Sequence, residues 1–329
     1  MLYFHFMRKS IFPATIFLLL LIWAGYFYTF NLQPDQVFSF GYPMMITMFF
    51  GSFIAGATSE GGGAVAFPVM TLLLSIPSAD ARIFSLGCQS FGMTSASALI
   101  LSKNYPIVRS CILPVSIFGI VGFILSDLFI VPILSGAVVK LFFVSLWLAF
   151  GVALWWMNKT SGQHKSTALS FHRKSATFSL LFVFGFIGGG ISALFGNGID
   201  IITFTLLTLV FRIDEKIATP TSVILMTIMT IFGFLWHLLY KADMNAATES
   251  YWLAAVPVAM LMAPLGAWVV SKLKTNHVVF ILYFTIVAQF ITALYVIKPS
   301  VSLIVFSLSV IFIGLSIFRV MAYINKYFK

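Results

Sequence analysis

Apolar runs of about 20 residues, the length of a membrane-crossing helix, recur along the chain and are separated by short polar or charged stretches. They predict single spans over Ile11–Phe30, Ile83–Ser102, Ser110–Ser126, Lys140–Trp156, Ile217–Tyr240, Ser250–Ser271, Val278–Ile297 and Ser300–Phe318. The first follows Arg8-Lys9, exceeds the length of a signal-peptide core and lacks a small-residue cleavage site, so it reads as a retained helix.

Two segments break this pattern. Tyr42–Ala79 holds one ionisable residue, Glu60, in 38 positions, and Ala176–Phe211 holds one, Asp200, in 36. Each is too long for one span and short for two. Each is interrupted by glycines: Gly56 and Gly61-Gly62-Gly63 in the first, Gly188-Gly189-Gly190 and Gly196-Asn197-Gly198 in the second. Backbone that leaves helical geometry at membrane depth is tolerated only where protein or a water-filled cavity satisfies it.

Composition agrees: 329 residues, 60% hydrophobic and 9% charged, with a mean hydropathy of +1.05. A soluble domain carries about 25% charged residues, so cytosolic enzymes, disulfide-framed secreted domains and disordered proteins are excluded. Cys88 and Cys111 lie in apolar stretches and form no disulfide framework or metal spacing. No phosphate-binding loop or nucleophile elbow is present, and neither a cofactor nor an enzymatic activity is expected.

The net charge of +10 would suggest nucleic acid in a soluble domain, but in a membrane protein basic residues gather in cytoplasmic loops. With the N-terminus inside and each glycine segment returning to its own face, 15 of the 19 Lys+Arg are cytoplasmic. Arg82, Lys140, Lys241 and Lys298 are left outside. Counting each glycine segment as one crossing gives 11 to 8, so the hairpin count is preferred. Both termini and the basic loop Asn158–Ser175 are then expected in the cytoplasm, and Asn31–Gly41 and Lys241–Glu249 outside. The expected organisation is a terminal helix and outer loop over 1–41, a first repeat over 42–157, the loop 158–175, a second repeat over 176–297 and a last helix with its tail over 298–329. The repeats are inverted, each a broken hairpin followed by three spans. Glycine-interrupted segments at matching positions of two halves point to a transporter's binding site.

At these segments the chain resembles the sulfite exporter TauE/SafE family of membrane permeases, which carries a fingerprint of roughly Gly-x-x-Gly-x-Gly-Gly-Gly-x-x-x-x-Pro in each half. Here the first copy runs from Gly56 through Gly61-Gly62-Gly63 to Pro68, with Ser59-Glu60 replacing the usual glycine and apolar residue. The second runs from Ser192 through Gly196-Asn197-Gly198 to Asp200, with Thr205 in the place of the proline. Short charged turns follow, Asp80-Ala81-Arg82 and Asp214-Glu215-Lys216. The resemblance covers about residues 42–297 and implies a permease or exporter of sulfite, sulfonates or related sulfur anions, in the inner or plasma membrane.

The candidate substrate-binding residues are Gly61, Gly62, Gly63, Gly196, Asn197, Gly198, Gln89, Ser90 and Arg82. The glycines expose N–H donors at half-helix starts, which attract anions, or else allow close helix packing. Glu60 and Asp200 are candidate proton-coupling groups, because desolvation disfavours a charged carboxyl. The alternative for both is a helix cap or a structural ion pair. Arg82 and Lys216 either hold the substrate's negative end or, as is favoured here, pair locally with Asp80, Asp214 and Glu215. Gln89, Ser90, Thr94 and Ser95, with Thr221 and Ser222 in the matching helix, either line a cavity or bond between helices. His237 reads as an interfacial residue, and Gly185 with Gly189 as internal packing. The reading is alternating-access transport of a small anion. A passive anion channel and a membrane scaffold are the alternatives. Beyond the bilayer and the anion no partner is implied, nucleic acid is not expected, and homo-oligomerisation is left open.

Overall fold

The computed structural model describes residues 2–58, 61, 63–160, 174–273 and 275–324. These residues form an all-helical membrane fold, and nine of their helices are long and apolar enough to cross a bilayer. In chain order the helices are α1 (Leu2–Thr29), α2 (Pro34–Ala57), α3 (Gly63–Pro68), α4 (Ser78–Ser102), α5 (Arg109–Phe129), α6 (Gly136–Thr160), α7 (Lys174–Phe195), α8 (Ile199–Thr205), α9 (Glu215–Leu235), α10 (Ala246–Lys272), α11 (Thr275–Ile297) and α12 (Val301–Ile324). Single π-helical turns continue α3 over Val69–Leu73, α8 over Leu206–Val210 and α9 over Trp236–Lys241.

The glycine segments fold as unequal pairs rather than as two half-length arms. The first arms, α2 and α7, have 24 and 22 residues, and only the second arms, α3 and α8, are short. The outer loop expected up to Gly41 is correspondingly shorter. Pro34 sits in the first turn of α2, where its missing N–H costs nothing, and the helix begins there.

Close backbone approach explains why the long arms carry so many glycines. A Cβ on Gly56 would collide with the Ala263 carbonyl of α10, and one on Gly266 of α10 with the Phe53 carbonyl of α2. The other pair repeats this. A Cβ on Gly189 of α7 would strike the Gly119 carbonyl of α5, and one on Gly122 of α5 the Phe186 carbonyl of α7. Small residues let helices meet in this way where no hydrophobic effect drives them together. Gly185 and Gly189 are thus internal packing residues.

The two halves also share a hydrogen-bond register. Leu74 N–H donates to Val69 O and Ile76 N–H to Met70 O; Phe211 N–H donates to Leu206 O and Ile213 N–H to Leu207 O. Ser75 and Arg212, at the same place in each turn, both adopt left-handed backbone. The starts of α4 and α9, Ser78 and Glu215, keep this spacing and set Arg82 against Thr219, whereas the left-handed glycines of the two breaks, Gly61 and Gly196, do not keep it. The equivalence expected between Arg82 and Lys216 is therefore out of register.

Helix α4 is the central element. Of its most apolar window 89% is buried, against 11% for α1 and 22% for α12. Those two terminal helices present Phe17, Leu21, Phe312 and Ile313 outward, as lipid-facing helices do. Trp23 of α1 donates to the Leu253 carbonyl, which ties α1 to α10.

Candidate functional site

The two glycine breaks meet beside the middle of α4. Gly61 has φ +73°, a conformation that glycine adopts at no steric cost. A Cβ there would lie 2.8 Å from Asn197 Nδ2, 2.8 Å from Met226 Cε and 2.9 Å from Gln89 Oε1. Gly196 has φ +82°, and a Cβ on it would lie 2.9 Å from Ser85 Cβ and 3.0 Å from the Arg82 carbonyl. The Gln89 amide donates to Ser85 Oγ and reaches the Gly196 carbonyl at 3.4 Å. Residues of both breaks and of both central helices, α4 and α9, thus converge on Gly61. Asn197 and Gln89 are buried there. Gly63 opens α3, whereas Glu60 and Gly62 lie outside the described residues.

The second break caps itself. Gly198 N–H donates to Asp200 Oδ1 at 2.8 Å, and Ile199 N–H to Ser192 Oγ at 2.9 Å. Two donors at the start of α8 are therefore already engaged. This favours the cap reading of Asp200, whose other oxygen, Oδ2, has no hydrogen-bond partner among the described residues.

Several polar candidates face their own helices instead. Ser90 Oγ donates to Gly87 O, Thr94 Oγ1 to Ser90 O and Ser222 Oγ to Thr219 O. Ser95 bonds both its own helix and the Met260 carbonyl of α10, and Thr221 accepts from Val108 N–H. Of the polar patch on α4, the structure brings Gln89 to the breaks.

Arg82 departs furthest from the local pairing expected of it. Its side chain is buried, it donates from Nη1 to the Ala193 carbonyl at 3.0 Å, and Nη1 lies 3.6 Å from Asp127 Oδ1 on α5. A long flexible side chain on a buried helix reaches across to the nearest buried carboxylate, because an unpaired charge there is expensive. Asp127 in turn accepts from Lys241 Nζ at 3.0 Å and from Trp236 Nε1 at 2.9 Å. His237 is buried and bonds Asp243 through Nδ1. In sequence Asp127 only marks the end of an apolar run. The signal available was the cluster His237, Lys241 and Asp243 at the end of the matching span.

At the opposite end of α4 and α9 lies an open cavity of about 320 Å³. Gly56, Lys103, Tyr105, Lys216, Thr219 and Lys272 are among the residues that line it, and none of the described lining residues is an acid. In the register of α4 and α9, Thr219 of this cavity corresponds to Arg82. The α4–α9 pair thus has an open cavity at one end and the buried Arg82 guanidinium at the other. Lys216, whose backbone N–H is held by the Asp214 cap, belongs to this cavity and not to the Arg82 site.

Among the described residues no group of three or more His, Cys, Asp or Glu is placed to hold a metal ion. A family model described as "Sulfite exporter TauE/SafE" matches residues 44–296. No curated protein and no solved structure matches the chain.

Proposed function

The chain belongs to the sulfite exporter TauE/SafE family of membrane permeases, and we propose that it carries a small anion, of the sulfite or sulfonate class, by alternating access. The observation that carries this reading is the unequal ends of the α4–α9 pair. One end is a cavity lined by three lysines, and the other is closed over the Ala193 carbonyl by Arg82 and Asp127. Two halves that are inverted copies exchange these shapes when one rocks against the other. Lys103, Lys216 and Lys272 raise the local anion concentration at the open mouth. The anion then meets the first break at Gly61 and Gly63, with Asn197 and Gln89 to orient it. Gly62 and Glu60 flank Gly61 in the sequence; Glu60 is the carboxyl proposed to respond to protonation, and Asp200 is proposed to hold the start of α8.

In this reading the lysine cavity opens to the cytoplasm, both termini are cytoplasmic, the host is the cell membrane, and no enzymatic step is involved. Purified full-length protein in liposomes loaded with sulfite tests it. Saturable sulfite release that responds to the proton gradient is expected. Release that does not saturate and ignores the gradient would mark a passive channel, and none at all for sulfite, thiosulfate or sulfonates would overturn the anion assignment.

A further inference from the structure

At the closed end, His237 lies between two carboxylates. Its Nδ1 is 2.9 Å and 3.1 Å from the two oxygens of Asp243. Its Nε2 faces Asp127 Oδ1 at 3.7 Å, and neither of those two atoms has a hydrogen-bond partner among the described residues. An ionised carboxylate only accepts, so the single N–H of a neutral ring must sit on Nδ1 to serve Asp243. Nε2 is then a bare lone pair turned toward an acceptor oxygen. A proton on Nε2 converts that opposition into a second donated hydrogen bond.

The charges around the ring come from every element packed on it. Helix α4 brings Arg82, with Asp80 adding its field at that guanidinium; α5 brings Asp127; the turn after α9 brings Lys241, and the loop beyond it Asp243. Within the contact cluster Arg82 and Lys241 balance Asp127 and Asp243, so one proton gives it a net charge of +1. Asp243 and Lys241 are partly exposed, whereas His237 and Asp127 are fully buried. The cluster therefore runs from the surface inward to Arg82, whose other contact is the Ala193 carbonyl beside the second break.

We propose that His237, bracketed by Asp243 and Asp127, is a proton-binding site of the transport cycle, separate from the carboxyl at the first break. A proton from the outer solution adds to the Nε2 lone pair, the imidazolium donates to Asp127 Oδ1, and the proton returns to water when the ring is deprotonated. Protonation competes with Arg82 for Asp127, frees the guanidinium, and leaves one positive charge for one incoming anion. The coupling to an anion rests on the transport reading given above; the proton site does not.

Two measurements on the full-length protein test this. Nitrogen-15 NMR of labelled histidine, with His237→Asn to assign the signal, follows the ring between about pH 8 and about pH 5. The singly protonated form at the alkaline end should give way to the doubly protonated form, and at about pH 6 less of that form should be present in Asp127→Asn and in Asp243→Asn. A ring that stays neutral throughout, or that titrates identically in both variants, overturns the proposal. In liposomes, wild-type sulfite flux should rise by up to about tenfold per unit of outer pH lowered, the response of one bound proton. His237→Asn, which keeps the Asp243 bond, should flatten that profile. If His237→Asn folds poorly, the partly exposed Asp243→Asn carries the flux test, and a wild-type profile in it counts against the site. Absence of flux for every sulfur anion would sink the transport reading alone, and the NMR titration would still decide the proton site.

Discussion

The Arg82 guanidinium on α4 lies 3.6 Å from the Asp127 carboxylate on α5, and both side chains are buried. The same guanidinium donates to Ala193 O at the end of α7. One side chain therefore fastens the second glycine arm to the closed end of the bundle. Removing one partner of a buried ion pair leaves an uncompensated charge and costs about 3–5 kcal/mol. Asp127→Ala should lower the unfolding temperature of the detergent-purified protein sharply, and Arg82→Gln with Asp127→Ala should recover part of the loss. A single variant as stable as wild type would show that the pair holds nothing together.

The glycines of the long arms give a contrast within one protein. Gly189→Ala places a methyl against the Gly119 carbonyl, whereas Gly25 has nothing within 4 Å of its Cβ position. Overpacking of this kind costs about 1–3 kcal/mol or more, while an exposed helical Gly→Ala is neutral or favourable by about 0.5–1 kcal/mol. Thermal unfolding of the two variants should separate them clearly. Equal stability would mean that α5 and α7 tolerate a wider spacing.

At the first break, Gly61→Ala meets two obstacles. The left-handed backbone costs an L-residue about 1–2 kcal/mol, and the added carbon crowds Asn197, Met226 and Gln89. Sulfite flux should fall to background in protein that still reaches the membrane in normal amount. Flux at the wild-type level would remove Gly61 from the substrate's path.

The lysine cavity makes a kinetic prediction. Lys103→Gln and Lys216→Gln should raise the KM for sulfite severalfold on the cavity side with little change in the limiting rate, because a charged vestibule acts on encounter. The effect should shrink at high salt, as screening shortens its reach. An unchanged KM at low ionic strength would relieve these lysines of any part in capture.

Sidedness is open to direct chemistry. Cys88 and Cys111 are buried and free, so both can be replaced to give a cysteine-free background. A cysteine at Gly162 should resist an impermeant thiol reagent in intact cells, and one at Asn31 should react. The reverse pattern would turn the molecule over and exchange the roles of its two ends.

Hydropathy and glycine punctuation by themselves determined that this is a polytopic helical membrane protein with two interrupted segments, and where they fall. Apolar runs and helix-breaking glycines are local properties, and the bilayer converts them almost directly into spans and breaks. The tertiary structure decided what each polar residue does. Gln89 and Ser90 are neighbours in sequence, yet Gln89 reaches the breaks while Ser90 bonds its own helix. Asp200 read equally well as a titrating group or a helix cap in the sequence, and in the fold its carboxylate holds Gly198 N–H. Arg82 stood beside Asp80, and its partner came from another helix. His237 and Asp127 each ended an apolar run, and nothing local in either run indicates that packing brings the two ends together. Contacts of that kind depend on how whole helices cross, and a helix's own sequence does not contain the crossing.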